Sequence, residues 1–119
     1  MRRILLVDDE PEIRKAVMRH LDGYLVFQAR DGKEALEVVA RLDPPPDLII
    51  TDYRMPEMNG LDLIRTLKAD SKTRVIPVWM MSTDLDVPER AKEAGAEICL
   101  DKTTEIFRLP GRLKQRFGD

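Results

Sequence analysis

Five short apolar runs, at residues 4–7, 25–29, 47–51, 75–81 and 97–100, alternate along this chain with segments whose apolar residues recur at helical spacing. Runs that are apolar throughout need cover on both faces, and parallel strands need long crossovers, which the intervening segments are long enough to supply. The first helix is expected over 11–21. Pro11 suits a first turn, Ile13, Val17 and Leu21 recur at four-residue intervals, and Asp22-Gly23 ends the pattern. The second is expected over 33–42, with Ala35, Leu36, Val39 and Ala40 facing inward, closed by Asp43 and three prolines. The third is expected over 60–69 after a long loop at 52–59, and a short fourth over 88–94 ends at Gly95. The last begins near Leu109-Pro110, carrying Leu109, Leu113 and Phe117, with 103–108 as a loop or loose turn before it. Pro77 fits the fourth run only near a strand's start.

Five βα units in 119 residues predict a single α/β domain over 1–119. The expected architecture is a flavodoxin-like three-layer sandwich: a five-stranded parallel sheet, order 2-1-3-4-5, covered by helices on both faces. In that order the winding reverses between strands 1 and 3, and sites form at the carboxyl ends of the strands there.

Composition narrows the function classes. Charged residues are 35% and hydrophobic ones 43%, with a net charge of −2, so there is no basic footprint for direct nucleic-acid binding. No apolar run approaches membrane-spanning length, and the single cysteine, Cys99, permits no internal disulfide. A cytoplasmic protein without a membrane partner is expected.

Chemistry-bearing residues fall at the strand ends. Strand 1 delivers Asp8 and Asp9, strand 3 Asp52, strand 4 Ser82 and Thr83, and strand 5 Lys102. All these ends share one edge of a parallel sheet. Three carboxylates together raise one another's pKa unless a cation intervenes. Lys102 supplies one positive charge, and Mg²⁺ would bring the group to neutrality with the hard oxygen ligands it prefers. A carboxylate held there is a nucleophile for phosphorus, with the metal on one side of the phosphoryl group and Lys102 and Ser82 on the other.

At this point the sequence resembles the CheY-like receiver domain of two-component response regulators. The resemblance is carried by LLVDDE, TDYRMPEMNG from Thr51 to Gly60, MMSTD, and AGAEICLDK, and it spans nearly the whole chain. It implies that Asp52 is the phospho-acceptor, Asp9 a direct Mg²⁺ ligand and Asp8 one acting through water, with Asp52 and the backbone carbonyl of Arg54 completing the protein's share. It implies that Ser82 bonds the phosphoryl oxygen, with Thr83 beside it, and that Lys102 pairs with the phosphoryl group. The donor would be a phosphohistidine on a sensor histidine kinase or phosphotransfer protein. The response would be a shift of the face built from helix 4, strand 5 and helix 5, read by a downstream protein or an output domain, with a homodimer as a further option. Such a domain assists its own modification and is not a turnover enzyme.

Three departures from the family pattern stand out. Thr103 replaces the proline that usually follows the lysine, Cys99 replaces the aromatic three residues before it, and the segment from Ser82 to Lys102 is short. Thr103 and Cys99 keep open a phosphorylation-independent interaction module that retains only the fold. A phosphatase of the haloacid dehalogenase type would need Asp-x-Asp after strand 1, where this chain has adjacent acids, and a flavin site would need a hydroxyl- and glycine-rich loop there. Arg54 and Asp84, two residues after Asp52 and Ser82, are expected to pair across the mouth of the site, obstructing water and prolonging the phosphorylated state. Glu10 and Glu12 face the first helix N-terminus. His20 is expected as an exposed helix residue, Trp79, Met80, Met81 and Cys99 as core, and Met55 and Met58 as packing on helix 3.

Overall fold

The computed structural model describes residues 1–118; Asp119, the end of the expected domain, lies outside them. Five parallel strands, β1 (Arg3–Val7), β2 (Leu25–Ala29), β3 (Leu48–Asp52), β4 (Val78–Ser82) and β5 (Ile98–Asp101), form one sheet in the order β2-β1-β3-β4-β5. The helices are α1 (Pro11–Met18), α2 (Gly32–Arg41), α3 (Gly60–Ala69), α4 (Val87–Ala94) and α5 (Leu109–Phe117), with a 3-10 turn at Ile106–Arg108. This is the expected flavodoxin-like sandwich.

Successive side chains of the inner strands point to opposite faces, and both faces are dry. Leu5, Val7, Ile49 and Met80 pack on one side with α2, α3 and α4; Ile4, Leu6, Ile50 and Trp79 pack on the other with α1 and α5. Local chemistry starts the helices. Pro11 occupies the first turn of α1, Asp31 accepts from the Glu34 N–H to cap α2, and Asn59 and Asp62 cap α3 reciprocally. Gly95 closes α4 in the left-handed conformation that a side chain would strain.

Two boundaries differ from expectation by more than one residue. α1 stops at Met18, and the chain to Leu21 continues through tighter bonds, His20 N to Val17 O and Leu21 N to Met18 O. Leu21 stays buried at 2% exposure, so the apolar period outlasts the helix that it suggested. His20 is therefore half-buried just past the helix rather than an exposed residue on it. β4 starts at Val78, not at 75: Val75 is exposed, and Pro77 lacks the N–H to join a ladder, although its carbonyl accepts from Ile49 N at 3.0 Å. Trp79, Met80 and Met81 are buried as expected, whereas Cys99 is only half-buried.

Candidate functional site

Register assembles the site. Val7 lies opposite Thr51, so Asp8 leaves β1 beside Asp52, and Ser82 lies opposite Asp101, so Lys102 follows beside Ser82. The Lys102 N–H donates to the Ser82 carbonyl at 3.0 Å, which fixes the base of its side chain. Its Nζ then reaches 3.0 Å from Asp8 Oδ2 and 3.0 Å from Asp52 Oδ2. Asp8 is fully buried and Asp52 is 5% exposed, so this shared ammonium is what makes two close carboxylates tolerable.

The remaining oxygens are held by backbone. Asp8 Oδ1 accepts from Glu10 N at 2.9 Å, and Asp52 Oδ1 accepts from Tyr53 N at 2.9 Å. Burial is the main reason that the Asp52 carboxyl rises to about 6; the Lys102 hydrogen bond opposes the rise and the Asp8 charge adds to it. Burial alone would lower Lys102, but its bonds to Asp52 and Asp8 outweigh that and hold the ammonium above its ordinary pKa.

The loop carrying Asp52 is pinned by Gly60. A Cβ there would collide with the Asp52 carbonyl oxygen, and the Gly60 N–H donates to the Tyr53 carbonyl at 2.8 Å. Met55 is buried in the adjoining core layer, and Met58 lies against Gly32 at the start of α2. A cleft of about 420 Å³ opens above, lined by Asp9, Asp52, Arg54, Ser82, Thr83 and Lys102 among others. Larger space, about 610 Å³, lies beside His20, Tyr24 and Lys114 and touches none of these residues. Ser82 Oγ accepts from Asp84 N at 3.0 Å, which leaves its proton free to donate, and Thr83 is exposed at the rim.

Arg54 and Asp84 pair across the mouth as expected, with Nη2 to Oδ2 at 3.0 Å and to Oδ1 at 3.1 Å. The Lys102–Thr103 bond is trans, since Asp43–Pro44 is the cis bond among the described residues. In place of a proline ring, the Asp101 carboxylate holds the turn by accepting from Thr103 N, Thr103 Oγ1 and Thr104 N at 2.8, 2.7 and 3.2 Å. The Cys99 thiol is pushed up to about 11, first by burial and then by Glu105 and Asp101, which disfavours the thiolate form.

Two side chains were not anticipated. Arg14 of α1 donates to the Asp8 carbonyl at 2.6 Å and to the Gln28 side chain at 3.0 Å, bracing the acidic doublet. The Tyr53 ring is in contact with two guanidiniums, those of Arg54 and Arg90. Neither contact leaves a spacing signature in sequence.

Carboxylate oxygens of Asp8, Asp9 and Glu10 lie within 4.8 Å of one another, so Glu10 stands in this group where Asp52 was expected; the Asp52 carboxylate instead shares the Lys102 ammonium with Asp8. Asp8 Oδ2 is buried with no well-directed hydrogen bond, despite the 3.0 Å approach of Nζ. One buried carboxylate beside two exposed ones is a donor set of hard oxygens, and it fits a divalent cation of the Mg²⁺ kind.

Known proteins resemble this chain in sequence and in fold. The family description of the response regulator receiver domain matches residues 4–114. The response regulator MprA of Mycobacterium leprae is 36% identical over 116 residues, covering 94% of this chain and 49% of that protein. The two-component response regulator ORR7 of Oryza sativa is 38% identical over 120 residues, covering 94% and 56%. The chain thus spans about half the length of the curated relatives it matches. Among solved structures, the chemotaxis response regulator CheY4 of Vibrio cholerae superposes with a TM-score of 0.85 at 31% identity, covering 97% of this chain and 98% of that one. No helix among the described residues is long and apolar enough to cross a membrane. By sequence, sheet order and matched length, the chain belongs to the response regulator receiver domain family of two-component signalling.

Proposed function

We propose that Asp52 accepts a phosphoryl group from a phosphohistidine on a sensor histidine kinase or phosphotransfer protein, and that residues 1–119 act as one switch domain. The observation that carries this reading is the Lys102 ammonium 3.0 Å from both Asp8 and Asp52. An Asp52 oxygen attacks phosphorus in line, the phosphorus–nitrogen bond breaks, and the donor imidazole leaves with its electron pair. Lys102 moves with the charge as it passes from the carboxylate to the phosphoryl oxygens, and Ser82 and Thr83 offer hydroxyl protons to the same oxygens. Mg²⁺ held by Asp8, Asp9, Asp52 and the Arg54 backbone carbonyl would supply the remaining neutralisation of the phosphoryl oxygens. Asp8 is braced from behind by Arg14, which donates to its backbone carbonyl.

Modification would shift the face of α4, β5 and α5, and with it the affinity for a downstream protein, an output domain or a second copy. The expected setting is the cytoplasm, and the domain takes one phosphoryl group rather than turning over a substrate. The test is intact-mass measurement after incubation with acetyl phosphate and Mg²⁺, on wild type and Asp52→Asn. One added phosphoryl group on wild type alone is expected. No gain on wild type, or an equal gain on Asp52→Asn, would overturn the proposal.

A further inference from the structure

Tyr53 follows Asp52 directly, and its N–H is shared between Asp52 Oδ1 at 2.9 Å and the Met81 carbonyl at 3.1 Å. Its backbone is thus tied to the acceptor and to β4 at once. Its ring is half-buried against the core layer to which Val87 and Ala91 of α4 belong. The guanidinium of Arg54 stands 5.8 Å from the ring centroid, and that of Arg90 on α4 stands 5.7 Å from it. Each arginine is held by an acid from the segment that joins Ser82 to α4: Arg54 by Asp84 at 3.0 Å, Arg90 by Asp86 at 3.3 Å. The linking segment is therefore fastened at two points to cations that share one aromatic ring.

On β5, by contrast, Cys99 sits opposite Met80 and offers only a short thiol. It cannot span the distance between strand and loop that a large ring covers. We propose that Tyr53 is the side chain that couples the state of Asp52 to the position of α4, a positioning residue acting through Arg54 and Arg90. This rests on the phospho-acceptor reading of Asp52. A phosphoryl group that accepts the Ser82 hydroxyl proton turns Ser82 Oγ toward itself, and the Asp84 N–H that donates to that oxygen at 3.0 Å is drawn along with it. The segment beyond then moves, Asp84 and Asp86 carry their arginines with it, and both cations shift across the Tyr53 face. Cation–ring contacts at exposed positions are individually weak, so they can be exchanged without unfolding α4.

The experiment reads phosphorylation and motion in the same samples. Each protein is treated with acetyl phosphate and Mg²⁺, its intact mass is recorded, and hydrogen–deuterium exchange is followed over residues 84–94. Wild type should gain one phosphoryl group and change its exchange over that segment. Tyr53→Leu fills the space without an aromatic face; it should gain the phosphoryl group while the exchange change falls at least ~3-fold. Tyr53→Phe keeps the ring under both guanidiniums and removes only the hydroxyl beside Arg90; it should keep the change. Arg90→Gln, on the surface and without a packing role, should lose it as Tyr53→Leu does. Phosphorylated Tyr53→Leu or Arg90→Gln with the wild-type exchange change would overturn the coupling, as would phosphorylated wild type with no change. A wild type that gains no mass instead overturns the phospho-acceptor reading and this coupling with it.

Discussion

The two sides of the cleft are built on different energies. On the side of β1, β3 and the end of β5, Asp8 and Asp52 are almost wholly buried and Lys102 keeps only 14% of its side chain exposed. On the α4 side, the contacts are Arg54–Asp84, Arg90–Asp86 and two cations over Tyr53, and Arg54 is 75% exposed. Buried charges are costly to move, because losing one partner strands the other. Exposed pairs contribute little and are remade easily. The chemistry therefore sits on a rigid wall and the response on a soft one; of the three departures from the family pattern, the short segment from Ser82 to Lys102 carries the soft wall, whereas Cys99 lies on β5 and Thr103 just past it.

The largest expected effect breaks the rigid wall. Lys102→Ala should slow phosphoryl uptake from acetyl phosphate about 100-fold, the usual cost of losing one charge-stabilising donor, whereas Arg90→Gln should change that rate less than about 2-fold. Comparable losses would erase the distinction between the walls; uptake rates by intact mass decide it.

A smaller effect concerns stability without added divalent cation. Burial holds the Asp52 carboxyl at about 6 in the fold against 3.8 ordinarily. The unfolded chain therefore gives up this proton more readily. The stability contributed by the protonated group is complete below about pH 3.8 and lost as pH rises through about 6. That rise corresponds to at most about 3 kcal/mol, and screening at the open mouth brings it to about 1–2 kcal/mol. Asp52→Asn should thus be the more stable protein at pH 7.5 and lose that advantage near pH 3.8, as read by denaturant titration. An advantage that does not vary with pH would locate the cost elsewhere.

The smallest effect belongs to the soft wall. Arg54→Ala opens the mouth, and the loss of one exposed ion pair should speed dephosphorylation about 2- to 5-fold. An unchanged rate removes the idea that this pair excludes water.

Much of this was legible in the residues because strand ends are legible. Asp8, Asp9, Asp52, Ser82 and Lys102 each follow an apolar run, and a parallel sheet gathers such positions on one edge. The Arg54–Asp84 pair follows from the same register, two residues on from each strand end. What sequence hid was geometry without a period. Leu21 stays buried through a tight turn, so it lengthens the helical pattern beyond the helix. Arg14 reaches from α1 to the Asp8 carbonyl, a contact set by side-chain length and not by spacing. The Lys102–Thr103 turn depends on the Asp101 carboxylate, which reads along the chain as one more surface acid.

The central claim is that the nucleophile is Asp52 and not either member of the acidic doublet. Borohydride reduction of the phosphorylated protein converts the acyl phosphate to an alcohol and marks its position for peptide sequencing. The account predicts homoserine at position 52 alone. Homoserine at position 8 or 9, or a phosphorylated residue that borohydride does not reduce, would contradict it.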